Sequence, residues 1–262
     1  EIAIVLVDAL HNQLSVEQGV QQDIAALIDA QATLVAAYQT AKQANDQDRL
    51  TIISEALAAI QLDIRIAMKQ STFIEKQAIE LVVALLAEQG QQTDQLLQLR
   101  SEAIQSIVEF EKQKYDEQEL AQVEQESAIM LERYDGLIQP IPVQQVISSS
   151  FDIKLDLPPV FTEGQAMIQI RPISESFGAL VVWNDHDQTV TITKNGIVLI
   201  CTIGDSVAYV DDQPFLMDTY PRLVSGRVVV PLRFIAISLG IDVDWDSGTQ
   251  TIELSNKGDI QQ

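Results

Sequence analysis

The sequence predicts an α+β, multidomain chain: an elongated N-terminal helical bundle or coiled coil, then a duplicated domain of short strands and small helices. Three observations predict it. Residues 15–134 carry apolar residues at alternating three- and four-residue steps, the period of a helical seam. Pro140 and Pro142 then end the helical pattern. Beyond them, sliding the chain against itself by 62 positions pairs Asp156 with Asp218, Pro159 with Pro221, Gly164 with Gly226 and Arg171 with Arg233. The same offset pairs Gly178 with Gly240, Trp183 with Trp245 and Gln188-Thr189 with Gln250-Thr251. A gapless offset held across both tryptophans marks a duplicated supersecondary unit.

In the helical part, Val20, Ile24, Leu27, Leu34, Tyr38 and Ala41 form a first seam, with Gln31 as its polar exception. Turn formers at 45–48 break it and supply a candidate N-cap. Leu50, Ile53, Leu57, Ile60, Ile64 and Ala67 open a second seam that stays in phase to Leu85, so the second helix is expected to run to about Glu88. After a break at 89–93, a third helical stretch from about Asp94 to Tyr134 carries Leu96, Leu99, Ala103, Ile107 and Phe110, and then thins. Helices of roughly 30 to 45 residues are about 45 to 65 Å long. Short breaks favour antiparallel packing, with helices that open out between subunits as the alternative.

Ahead of this bundle, Ile2-Ala-Ile-Val-Leu-Val7 is an apolar run at a chain end. It reads either as a helix or strand packed on the chain's own core, or as an arm that adds to a neighbouring subunit through Ile2, Ile4 and Leu6. The expected divisions are an apolar arm (1–14), an antiparallel helical bundle (15–138), a linker or leading strand (139–150), the duplicated domain (151–256) and a tail (257–262).

Each repeat opens with an Asp and a proline-marked turn, followed by a glycine turn, a short apolar strand, a short helix ended by Gly178 or Gly240, and two closing strands. In the second copy the run is Gly226-Arg-Val-Val-Val-Pro231-Leu-Arg233-Phe-Ile-Ala-Ile-Ser-Leu-Gly240-Ile-Asp-Val-Asp-Trp245-Asp, then Thr-Gln-Thr-Ile-Glu-Leu254. This run resembles the bacterial copper amine oxidase N-terminal-like domain, also called the stalk domain, and the resemblance covers roughly 151–255. The first copy departs from the pattern, with Ile168-Gln-Ile-Arg171 where Val-Pro-Leu-Arg is expected. The resemblance implies an extracellular, mostly Gram-positive bacterial module, usually an appendage, that carries no chemistry itself.

Copper is not expected despite the family name. An amine oxidase centre needs a histidine cluster, and the chain holds only His11 and His186, far apart in sequence. No cofactor is expected, because no nucleotide loop, nucleophile triad or zinc spacing is present. A net charge of -22 excludes nucleic acid as a partner, since counterion release requires a basic face, and disfavours an anionic membrane surface. No stretch approaches the roughly twenty apolar residues of a membrane span. A single cysteine, Cys201, permits no intrachain disulfide and reads as a small buried strand residue.

Asp242, Asp244, Asp246 and Glu253 have a spacing that suggests a calcium loop, but Gly248 stands one position late, and alternation with Val243 and Trp245 fits a solvated strand face better. Asn184-Asp-His-Asp187 reads as a polar turn. Trp183 and Trp245 read as duplicate core residues rather than a sugar-stacking platform, and Arg171 and Arg233 as structural ion-pair partners. The functional expectation is a secreted, non-enzymatic structural protein of the bacterial cell surface that partners itself in a filament or layer. The alternative is an accessory that binds a cell-wall polymer or other ligand and is presented on a helical stalk.

Overall fold

Long seams with few interruptions yield two 42-residue helices, α1 (Ile2–Gln43) and α2 (Gln47–Glu88), joined by a tight turn. The chain, described by a computed structural model over residues 2–91, 93–135, 137–162 and 164–257 (side chains of 2–7 and 88 excepted), divides into two units, Glu1–Phe110 and Glu111–Gln262. In the first unit Asn45 takes a left-handed φ of 54°, and Asp46 caps α2 by accepting from the Arg49 N–H. The two helices run antiparallel. Gln13 donates to Gln77 at 2.9 Å, and Ser71 donates to Glu17 at 2.6 Å while accepting from Gln21 at 2.9 Å. The expected seam residues Val20, Ile24, Leu27 and Leu34 are half-buried between them. A third helix, α3 (Asp94–Lys112), is tied to α2 by an Arg100–Glu80 ion pair at 2.6 Å.

Residues 2–14 are not a separate arm. Their backbone is the start of α1, because Leu10 and Gln13 continue the three-and-four spacing of the seam. The backbone of Ile2, Ile4 and Leu6 is helical here rather than extended, the form that strand addition requires. The side chains of these three residues lie outside the described residues.

The expected third stretch is interrupted at 113–116, where α4 (Glu117–Arg133) begins with a capping box. The Asp116 carboxylate accepts from the Glu119 N–H at 2.8 Å, and the Glu119 carboxylate accepts from the Asp116 N–H at 2.9 Å. Helix α4 belongs to the second unit, which moves the boundary from residue 138 to residue 110. Val123 lies in one core cluster with Ile168 and Val230, and Met130 lies in another with Met167 and Val229.

Among the described residues, thirteen strands and two further α-helices follow, with a 3-10 turn at Val143–Gln145. They are β1 (Gln139–Pro140), β2 (Val146–Ser148), β3 (Val160–Thr162), β4 (Gln165–Gln169), α5 (Ile170–Ser176), β5 (Leu180–Asn184), β6 (Thr189–Lys194), β7 (Ile197–Thr202) and β8 (Val207–Val210). The remainder are β9 (Gln213–Leu216), β10 (Arg222–Val224), β11 (Arg227–Pro231), α6 (Leu232–Leu239), β12 (Ile241–Asp246) and β13 (Thr251–Asn256). The sheets have the orders β1-β3-β4-β11-β10, β12-β13-β2 and β5-β6-β7-β8-β9. Residues 139–150 are therefore part of the domain rather than a linker. Strand β2 runs parallel to β13 with Ile147 fully buried, and the Ser148 hydroxyl donates to the Leu254 carbonyl at 2.6 Å.

The duplication is visible in the backbone. Strands β3 and β4, helix α5 and strands β5 and β6 recur at the same offset as β10, β11, α6, β12 and β13. In the antiparallel β4–β11 pair, Ile168 stands opposite Val230, its own repeat equivalent, while Met167 meets Pro231 and Gln169 meets Val229. The copies thus face each other about an internal pseudo-two-fold axis, as two subunits do across an isologous interface. Gly178 and Gly240 end their helices at φ of 78° and 74°, and the matched Gln188 and Gln250 turn their hairpins at 52° and 55°.

Cys201 is buried on β7, opposite Val190, and burial pushes its thiol up from 9.0 to about 12. At pH 8 an alkylating reagent is expected to leave Cys201 unmodified in the native chain and to label it fully after denaturation. A raised folded-state pKa also means that this stabilisation is intact below about pH 9 and is lost as pH rises towards 12. Alkaline unfolding followed by Trp fluorescence is expected to shift upward in Cys201→Ala.

Candidate functional site

Two surfaces of the second unit stand out. The first is a groove of about 1050 Å³ bounded by α4, the segment 152–156, the start of α5, and Trp183, Gln188 and Leu223. Each of its cations has a carboxylate partner. Lys154 meets Glu119 at 2.6 Å, Arg227 meets Asp156 at 3.0 Å, and Arg171 meets Glu175 at 3.2 Å while donating to the Val181 carbonyl at 3.0 Å. The Lys154 hydrogen bonds hold the Glu119 carboxyl below its ordinary range. The groove floor includes Tyr115, whose hydroxyl accepts from the Leu155 N–H at 2.8 Å and whose pKa burial pushes up to about 12. Tyr115→Phe leaves that buried N–H without an acceptor, so urea unfolding is expected to report a loss of about 1–3 kcal/mol.

The second surface is the outer face of the β5–β9 sheet. Val182, Thr191, Ile200, Tyr209 and Pro214 lie opposite one another in register across its five strands, and Leu180, Thr193 and Val198 form a parallel row. Val182 is 52% exposed, Tyr209 45% and Leu180 66%, whereas the alternating Val181, Ile192, Leu199 and Ala208 are buried. None of the outward residues is charged, in a chain with 38 acidic and 16 basic residues.

Residues 148–254 match the family described as the copper amine oxidase N-terminal domain. This part of the chain is a copper amine oxidase N-terminal-like domain. The match spans both repeats, from the end of β2 into β13, and the helical half before it matches no family. No curated protein matches the chain. In copper amine oxidases the N-terminal domain is non-catalytic. The donor set of this chain does not fit copper either: His11 lies on α1, His186 in the β5–β6 turn, and among the described residues no group of three His, Cys, Asp or Glu side chains can hold a metal.

The other candidates lie along the strands, turns and helices of the stalk-like domain. Asp242, Asp244 and Asp246 alternate along β12, with Asp244 opposite Glu253 on β13. Asp246 serves the hairpin turn, accepting from the Thr249 N–H at 2.7 Å and its hydroxyl at 2.8 Å. At the equivalent turn the Asn184 side-chain Oδ1 accepts from the His186 N–H at 3.0 Å, as a polar turn should. Arg171 forms the expected ion pair, but Arg233 does not repeat it, because exposed Ile237 stands where Glu175 stands in the first copy. The tryptophans are half-buried at groove edges rather than deep in the core; Trp245 packs on Phe161 with ring centroids 5.0 Å apart. Leu223, on β10, carries no signal in the sequence, whereas Gln188 is marked by its repeat match to Gln250.

Proposed function

We propose that the chain is a secreted, non-enzymatic structural protein of the bacterial cell surface that associates with itself. The observation that carries this reading is the uncharged outer face of the β5–β9 sheet. Two copies, each with a net charge of -22, repel over most of their surfaces and approach most cheaply where neither presents a charge. β-Branched, Tyr and Leu side chains on that face lose water on contact without stranding an ion. The α1–α2 hairpin adds a second apolar supply, since Leu14, Ile28 and Val35 on α1 and Ile52, Leu62 and Ile66 on α2 remain exposed. Placement at the cell surface is supported by the stalk-like domain and what its resemblance implies.

Negative-stain electron microscopy of the full chain tests the reading. Regular fibres or sheets are expected, and uniform single particles at all concentrations would reject it. The alternative, a ligand-binding accessory, is favoured by the groove beside Trp183.

A further inference from the structure

The pseudo-two-fold axis gives that groove a counterpart. Trp183, Gln188 and Leu223 correspond by the repeat offset to Trp245, Gln250 and Phe161, which line a second cavity of about 270 Å³. The second cavity is narrowed by the chain itself. Gln139, Pro140, Ile141 and Pro142 form its other wall, with Gln139 opposite Phe161 and Pro140 opposite Val160 in the β1–β3 pair, and with the Ile141 N–H donating to the Pro159 carbonyl at 2.7 Å. Among the described residues strand β10 has no such partner: it pairs only with β11 and ends its sheet. Leu223, the equivalent of Phe161, is 45% exposed.

We propose that the groove beside Trp183 binds an extended, proline-containing segment of a partner protein that carries no acidic residue, seated as Gln139–Pro142 is seated beside Trp245. The absence of acidic residues in the ligand follows from the walls: Lys154, Arg227 and Arg171 are already neutralised by Glu119, Asp156 and Glu175, and Asp152 and Asp185 also line the groove, so it offers no counter-ion to an anionic segment. The preference for proline follows from the half-buried indole, the open strand edge and the filled counterpart. A pre-extended segment loses little entropy on docking and lays its rings on aromatic and aliphatic surface. One difference sets the limit of the site. The Gly204 N–H already occupies the Pro221 carbonyl at 2.8 Å, the counterpart of the Ile141 contact, so the peptide meets β10 from Leu223 onward. The volume suits a ligand of several residues.

The test is calorimetric titration of the full chain with the capped peptide Leu-Ile-Gln-Pro-Ile-Pro-Val, which copies residues 137–143. Saturable binding is expected, weakened about 10-fold or more by Leu223→Arg, a rim substitution at an exposed site. In Trp245→Phe, emission from Trp183 should shift with the same midpoint. No saturable heat, or equal affinity in Leu223→Arg, overturns the proposal. So does a shift confined to Trp245 in Trp183→Phe, which would mean that the peptide displaces the chain's own segment. A loss of self-association in Leu223→Arg would assign the groove to a second copy and would also overturn it.

Discussion

Ile168→Ala is expected to lower the stability of the second unit by about 2–5 kcal/mol, the range for truncating a fully buried large aliphatic side chain. Ile168 is completely buried and stands opposite Val230 at the centre of the pseudo-two-fold pair, where the repeats share their only strand-to-strand junction among the described residues. The neighbours that would have to collapse into the cavity are themselves constrained. Val230 lies in the same ladder and Pro231 has a fixed φ, so relaxation is small and the cost falls towards the upper end. Urea unfolding followed by tryptophan emission isolates the effect, because Trp183 and Trp245 both lie in this unit. A loss below about 1 kcal/mol, typical of an exposed site, would contradict a core built around the repeat junction.

The double variant Val182→Glu/Tyr209→Glu is expected to abolish assembly while leaving far-ultraviolet circular dichroism and the urea midpoint close to those of the parent chain. Both side chains point away from the core, so the new carboxylates are hydrated in the monomer. In a face-to-face contact they would be desolvated without partners, at a cost of several kcal/mol, equivalent to at least about a hundredfold in association. Salt acts in the opposite direction on the parent chain. Screening weakens repulsion between acidic copies, so assembly should strengthen between about 0.05 and 0.5 M salt. Assembly by the double variant at the parent's concentration, seen by light scattering, would place the contact elsewhere.

Much of the fold was legible because periodicity and duplication are local or self-referential signals. The seams through Val20–Ala41 and Leu50–Leu85 gave α1 and α2, and the 62-residue offset gave matched elements down to the turns at Gln188 and Gln250. The break before α4 is written in the sequence as Asp116-Glu-Gln-Glu119, a capping box inside a charged stretch. The ownership of α4 and β2 was not legible. Both are decided by tertiary packing, of Val123 and Met130 on the sheets and of Ile147 beside β13, and nothing in a short apolar stripe says which core it will cover. The groove was hidden for the same reason: Trp183 and Leu223 belong to different copies and meet only through the antiparallel β4–β11 pairing. The uncharged sheet face was present in the alternation of Leu180, Val182, Thr191 and Thr193, but its width emerges only when five strands lie in register.

Sedimentation equilibrium of the full chain over a wide concentration range tests self-association most directly. An average mass that rises with concentration above the 29.0 kDa of one chain, and rises further with added salt, is the expected result. A mass fixed at that of one chain under all these conditions would contradict the structural reading.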